Sequence, residues 1–326
     1  MVPTNGLLVS LVCLMDRVPL PPSRQRSRGR PRVDSDRLLI KALIVMIVRR
    51  LYTAWALLAF WSQPDPVASH LRTLLTENGR CPCRRTWERR LQALPNTLPG
   101  LIGCLGRQLI GLLNPWQDQG HGAAVDSTGL RAHGGVWHKK DRAQGIVPHT
   151  SIDTEAAWSR SGWQGWWYGW KLHLAVSLGR VWIPLAAEFT PANVADNMIA
   201  PKLLVEVPAE VRYVVGDQHY HTPELRAACA WQGRELVTTR HGPYPHTDGG
   251  VEVRRIFHKL RSQAIEPFNG LFKNVFEWRG QMPVKGLCRC RRLALGAVML
   301  YQLALLYQHE QKLVTGVGVK ALLRAA

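Results

Sequence analysis

Val211-Arg212-Tyr213-Val214-Val215-Gly216-Asp217 reads as a short apolar strand that ends on a carboxylate. Residues 121–125 lead into Asp126 in the same way, within AAVDST. An acid at the end of an apolar strand is held rigidly at the sheet edge, where ligands reach it. Working outward, residues 171–178 alternate as a strand, with Leu172, Leu174 and Val176 on one face and Lys171 and His173 on the other. Residues 181–190 form a third strand, and Thr190-Pro191 reads as a helix start with Thr as cap and Pro at the first position. Residues 223–232 are helical, 235–239 a strand, and 254–276 and 293–307 mainly helical. The order β-β-β-α-β-α-β-α predicts an α/β fold, a mixed sheet covered by helices.

Ahead of it the pattern is helical. Leu38, Leu39, Ala42, Leu43, Met46 and Ile47 repeat near 3.6 residues, with Ser35 or Asp34 as cap. Residues 54–61 add apolar material, and 67–76 and 86–94 read as two further helices around a turn at 79–83. Pro95, Pro99, Asn114 and Pro115 mark a boundary. The expected organisation is a basic arm over 1–33, an all-helical domain over 34–115, and an α/β domain over 116–326.

The 326 residues hold 42 Lys and Arg against 23 Asp and Glu, a net charge of +19, with a pI near 10.2. Such an imbalance points to nucleic acid first and an anionic membrane surface second. Membrane insertion is disfavoured: Lys41, Arg49 and Arg50 interrupt the apolar run 38–60, and 293–307 is short for a span. Residues 6–15 resemble a short signal core but lack a positive lead-in and a small-residue cleavage site. Seven cysteines form no small-domain disulfide framework, which favours free thiols in a reducing cytoplasm. Zinc is the alternative at Cys81/Cys83 and Cys288/Cys290, but C-x-C is tighter than the usual ligand spacing and arginines crowd both pairs.

Glu266, in AIEPFNGLFK, joins Asp126 and Asp217 as a third acid. Each has a plain alternative when taken alone: an Asx-turn at Asp126, a strand exit at Asp217, a solvated helix charge at Glu266. Their β, β, α order in a strongly basic chain favours one shared site. Carboxylate oxygens suit Mg²⁺, and two such ions stabilise the attacking and leaving oxygens of a phosphoryl displacement.

The chain resembles the DDE transposases of bacterial insertion sequences, over roughly residues 30–310. The resemblance is carried by the segment from Gly29 to Leu43, by VDSTGL at 125–130, GWKLHLAV at 169–176, TPANVADN at 190–197, VVGDQHY at 214–220 and RSQAIEPFNGLFKNVF at 261–276. It implies an RNase H-like catalytic fold of the short-insertion type, with Asp126, Asp217 and Glu266 as catalytic and metal-binding triad. It also implies cleavage of the element's ends and transfer of the 3′ strands to target DNA. Of the family's Tyr-x2-Arg-x3-Glu-x6-Lys signature, Lys273 fits the last position; Ser262 stands at the Arg position with Arg261 beside it, and Lys259 at the Tyr position. On a regular helix Lys259, Ser262, Glu266 and Lys273 share one stripe, although Pro267 predicts a kink or restart there.

The expected cofactor is therefore a pair of Mg²⁺ ions, with Mn²⁺ as substitute. The expected partners are double-stranded DNA, as terminal inverted repeats and target, and a second copy of the chain at synapsis, with no membrane role. The setting is the bacterial cytoplasm, on the nucleoid. Candidate DNA contacts are Arg28 and Arg30 in a groove-entering hook, Arg84, Arg85 and Arg89 on a recognition helix, and Lys171, Lys259 and Lys273 around the acids. The bland alternatives are a charged linker, a solvated helix face and ordinary sheet-surface positions. Asp196 reads as a helix-surface charge or an added carboxylate. Trp158, Trp163, Trp166, Trp167 and Trp170 read as packing aromatics, with base stacking as the alternative. Rival functions are a metal-dependent nuclease of the same fold and a catalytically inactive DNA-binding derivative.

Overall fold

The computed structural model describes residues 4–21, 34–77, 79–113, 121–162, 165–238 and 248–326, with side chains 4, 5, 248–254 and 257 left aside. Arg28, Arg30 and Trp163 lie outside the described residues. The fold is α/β and RNase H-like, with a helical N-terminal region.

Helix α1 spans Thr4–Leu14. Leu8, Leu11 and Val12 are fully buried in the core, and the helix packs on α2 (Asp36–Val48). Ser35 caps α2, its hydroxyl accepting from the Leu38 amide at 3.0 Å. Then come α3 (Ala54–Trp61) and α4 (Pro66–Leu74), the latter capped by Asp65 with Pro66 in the first turn. Helix α5 (Arg84–Ala93) begins ahead of Thr86, with Cys83 as an N-cap whose thiol lies 3.4 Å from the Thr86 hydroxyl and makes no cap bond to the helix. Helix α6 (Leu98–Leu113) occupies the stretch between Pro95 and Asn114, where Pro95, Pro99, Asn114 and Pro115 marked a boundary.

The sheet has β1 (Gly122–Arg131) at its centre. After it come the short α7 (Lys139–Ala143), β2 (Ala157–Ser161), β3 (Gly165–Ser177) and β4 (Pro184–Pro191). They are followed by α8 (Asp196–Glu206), β5 (Tyr213–Gly216), α9 (Pro223–Trp231), β6 (Glu235–Thr238), α10 (Asp248–Val275), α11 (Leu287–Glu310) and α12 (Val319–Ala325). The strand order is β2-β3-β1-β5-β6. Strand β3 runs antiparallel to β1 on one edge and is paired on its other edge by β2 and then β4. Strands β1, β5 and β6 are parallel.

Three sequence expectations need correction. Asp126 does not end its strand: β1 runs on to Arg131, because Thr128 and Leu130 keep turning inward while β3 pairs beside them. Thr190-Pro191 does not start a helix. Pro191 closes β4 opposite Trp170, and α8 starts at Asp196, because the Thr190 hydroxyl is engaged with His173 and the Pro191 carbonyl instead of a helix end. Finally, α10 neither breaks nor restarts at Pro267. Gln263, whose carbonyl loses its partner to the proline, and Pro267 both lie on the exposed face, where water replaces the missing bond.

One contiguous apolar cluster joins the helical region to the sheet. Helix α11 is its axis, buried almost all round between Cys290 and Gln308. Gly296 lets α2 approach: a Cβ there would meet Leu43 at 2.7 Å and Ile47 at 2.8 Å. The buried Gln302 amide donates to Ile102 O at 2.9 Å and Pro184 O at 2.7 Å, tying α6 and β4 to α11. Helix α10 packs over β1, β5 and β6, which brings it to the acids.

Candidate active site

Strand register brings the first two acids together. Ala123 pairs with Val214 and Ala124 with Val215 in the parallel ladder. Continuing that register two steps sets Asp217 level with Asp126, on neighbouring strands about 4.8 Å apart. Asp217 leaves the strand there and caps a 3₁₀ turn, Gln218–Tyr220, its carboxylate accepting from the His219 amide at 2.8 Å. Gly216 makes this sharp exit possible, since a Cβ would lie 2.9 Å from that of Tyr220.

The Asp126 side chain is only 18% exposed. Burial pushes its carboxyl up to about 6, with Asp217 and Asp196 adding to the rise and Arg261 and the Ser127 amide opposing it. The Asn269 side-chain amide donates to Asp126 Oδ2 at 3.3 Å. The fully buried Tyr220 is held neutral by burial and then by the charges of Asp126, Asp196 and Asp217.

Glu266 arrives differently. It lies on α10, 54% exposed, and accepts from Arg261 at 3.1 Å. The same guanidinium stands 3.8 Å from Asp126 Oδ1. Arg261 therefore links the third acid to the first, and it does so from the position beside Ser262. Lys273, two turns further along α10, is half-buried: burial lowers its pKa and the Asp126 charge raises it. Lys259 is exposed.

The second face of β3 is not open to a ligand. Helix α8 lies across it, and the Lys171 ammonium is held by Asp196 at 2.9 Å and the Val194 carbonyl at 3.1 Å. His173, expected beside Lys171 on that face, is fully buried, its Nε2 2.8 Å from the Thr190 hydroxyl and its Nδ1 3.5 Å from Asp196. Burial holds it below the usual histidine range, so it is neutral at pH 7. Asp196 is thus a covered, paired carboxylate near the acids, not a solvated helix charge.

On α5, Trp87 and Leu91 are buried, and Arg90 is tied to Asp36 at 2.6 Å. Arg84, Arg85 and Arg89 are exposed, Arg84 lying 3.1 Å from Glu88. Among the tryptophans, Trp170 and Trp167 are buried, and Trp158 donates to the Trp137 carbonyl at 2.7 Å. Trp166 is 55% exposed with the Lys139 ammonium 3.4 Å from a ring centroid. The thiols of Cys288 and Cys290 donate to backbone carbonyls.

The donor set around Asp126 is all oxygen, with carboxylates that repel one another, which is the chemistry a hard divalent cation neutralises. Among the described residues no three Asp, Glu, His or Cys side chains stand close enough to ligate one ion, and Glu266 is paired with Arg261. The carboxylates of Asp126 and Asp217 are donors that fit such an ion.

A family model, the transposase DDE domain, matches residues 118–301, a little over half of the chain. The chain belongs to the DDE transposases. No curated protein and no solved structure matches it. As a family, these transposases cleave and join DNA and generally use divalent metal ions. Sequence reasoning missed Arg261 and Asn269 as neighbours of the acids. Arg261 was visible only as the residue next to a signature position; Asn269 is three residues beyond Glu266 on the helix and carried no signal of its own. Among the described residues no helix is long and apolar enough to cross a membrane.

Proposed function

We propose that this transposase cleaves insertion-sequence ends and transfers the 3′ strands to target DNA, with Asp126, Asp217 and Glu266 as its catalytic acids. The observation that carries the reading is the β1–β5 register, which levels Asp126 with Asp217, while α10 sets Arg261 between Asp126 and Glu266. Two Mg²⁺ ions, or Mn²⁺ in their place, would supply activation of the attacking oxygen and stabilisation of the leaving one. Asn269 fixes one oxygen of Asp126 and leaves the other directed toward Arg261 and incoming ligands. The Gly216–Tyr220 exit fixes Asp217. Arg261 pairs with Glu266 and stands beside Asp126, and Glu266 would join Asp126 and Asp217 in holding the ions.

DNA binding is assigned to the exposed arginines Arg84, Arg85 and Arg89 of α5, to Arg28 and Arg30 of the basic arm, and to Lys259 and Lys273 on α10, with phosphate contacts dominating affinity. Lys171 is held by Asp196 and the Val194 carbonyl, which leaves its ammonium no open side for a phosphate. The same reading assigns residues 1–33, 34–115 and 116–326 to arm, DNA-binding domain and catalytic domain. It has two copies of the chain synapse the element's ends, on nucleoid DNA.

The test is a strand-cleavage and joining assay on end-containing duplex with Mg²⁺. The wild type is expected to cut and, given a pre-cut 3′-hydroxyl end, to yield joined product. Asp126→Asn and Asp217→Asn are each expected to lose at least about a thousandfold in rate. Full activity in either variant sinks the assignment, and cutting without joining makes the protein a nuclease.

A further inference from the structure

Beyond the acids, β1 ends beside a cavity of about 400 Å³ whose walls carry Arg131, Lys273 and Arg279 and no carboxylate. Gly129 and Gly270 open its floor, and Trp167 forms a side. The cations are placed by backbone, not by ion pairs. Arg131 is the last residue of β1. Its amide donates to the Gly280 carbonyl at 2.7 Å, and its carbonyl accepts from Met282 at 2.9 Å. Arg279 sits in the turn that makes this pairing, at φ 49°, next to Gly280 at φ 76°. A left-handed arginine costs about 1 kcal/mol and persists only where surrounding structure fixes it. The nearest acid in the turn, Glu277, is taken by Arg50 and by Arg324 at 2.8 Å. Among the described residues neither Arg131 nor Arg279 has an acidic partner.

We infer that this pocket binds a backbone phosphate of DNA, with Arg131 and Arg279 as its ligands and Lys273 as the wall shared with the acids. The inference rests on the proposed function for its choice of anion. Two arginines with no acidic partner among the described residues, joined by Lys273 in a half-enclosed cavity with no carboxylate in its walls, favour a phosphodiester over solvent. Gly129 lies three residues beyond Asp126, about 10 Å along the strand at 3.3 Å per residue. With the duplex axis along β1, at about 3.4 Å of rise per nucleotide, a phosphate held there would lie about three nucleotides from the one that reacts. The pocket would set the register of the strand across the acids.

The experiment measures binding of a 30-base-pair duplex by the full chain, without divalent metal, over a range of salt. Arg131→Gln/Arg279→Gln is expected to lower the slope of log affinity against log salt by about one, the loss of one neutralised phosphate, and each single variant by less. Arg131→Lys/Arg279→Lys is expected to restore most of it, since the charges return. An unchanged slope in folded single and double glutamine variants overturns the pocket. So does a slope that falls equally in the lysine variant, which marks a structural effect. Cleavage by the wild type is scored separately. A wild type that cuts with a slope unmoved by substitution loses the pocket and keeps the proposed function. A falling slope with no cutting does the reverse.

Discussion

The two halves of the acid site are built by different means. The sheet half, Asp126 and Asp217, is fixed by parallel pairing and by a glycine exit with no room for a side chain. The helical half, Glu266, is half-exposed on α10 and borrows its position from one guanidinium. The lesson is that hydrogen-bonded register sets two carboxylates at close range despite their repulsion, while the third is delivered by side-chain pairing. The sheet half is held by backbone hydrogen bonds, whereas the helical half is held by one side-chain ion pair.

The largest expected effect breaks the sheet half: the asparagine variants at 126 and 217 described above. Next comes the link between the halves. Arg261→Gln frees Glu266 and removes a cation 3.8 Å from Asp126. Its maximal cleavage rate is expected to fall about a hundredfold, the cost of a misplaced group. The half-saturating Mg²⁺ concentration is expected not to rise, since one positive charge has gone. A Mg²⁺ titration of cleavage separates the two quantities. A normal plateau would show that Glu266 needs no positioning from Arg261.

This contrast also explains what was legible in the sequence. Strand-borne acids announce themselves, because an apolar run that stops on Asp is visible one residue at a time. The helical acid was recognisable by resemblance, but its partner was not: Arg261 and Glu266 are five apart, outside the usual i, i+4 pairing. Helix α6 was hidden by its own function. Gly103 and Gly106 weaken a helical pattern, yet they admit Glu206 and the Pro184–Leu185 backbone to within about 3 Å of where a Cβ would sit. Strand β2, five residues long, was too short for its alternation to register. His173 read as outward-facing because alternation gives the face of a strand and says nothing of α8 lying on it.

A smaller effect sharpens the comparison through stability. The Asp126 carboxyl rises from its ordinary 3.8 to about 6 in the folded chain. Between those values the folded state holds a proton that the unfolded state has lost, so stability falls as pH rises through that window. Above pH 6 the ionised carboxylate is a full burden on the metal-free fold, about 1–3 kcal/mol. Asp126→Asn, inactive as it should be, is therefore expected to be more stable than the wild type at pH 8 without metal. The gain is expected to vanish near pH 4, and added Mg²⁺ is expected to stabilise the wild type alone. Thermal melts across pH check this; equal melting temperatures at pH 8 would mean that Asp126 is better solvated than its burial implies.

The smallest expected effect concerns the exit that aims Asp217. Gly216→Ala puts a methyl group 2.9 Å from Tyr220 Cβ, in a site where that ring is fully buried. Overpacking of this kind costs about 1–2 kcal/mol. Because the strain falls on the turn that carries Asp217, cleavage is expected to drop further than the loss of folded protein explains, with DNA binding retained. Denaturant melts and cleavage rates on the same preparation separate the two. If activity tracks stability alone, the glycine serves packing, and Asp217 takes its aim from the strand ladder without help from the exit.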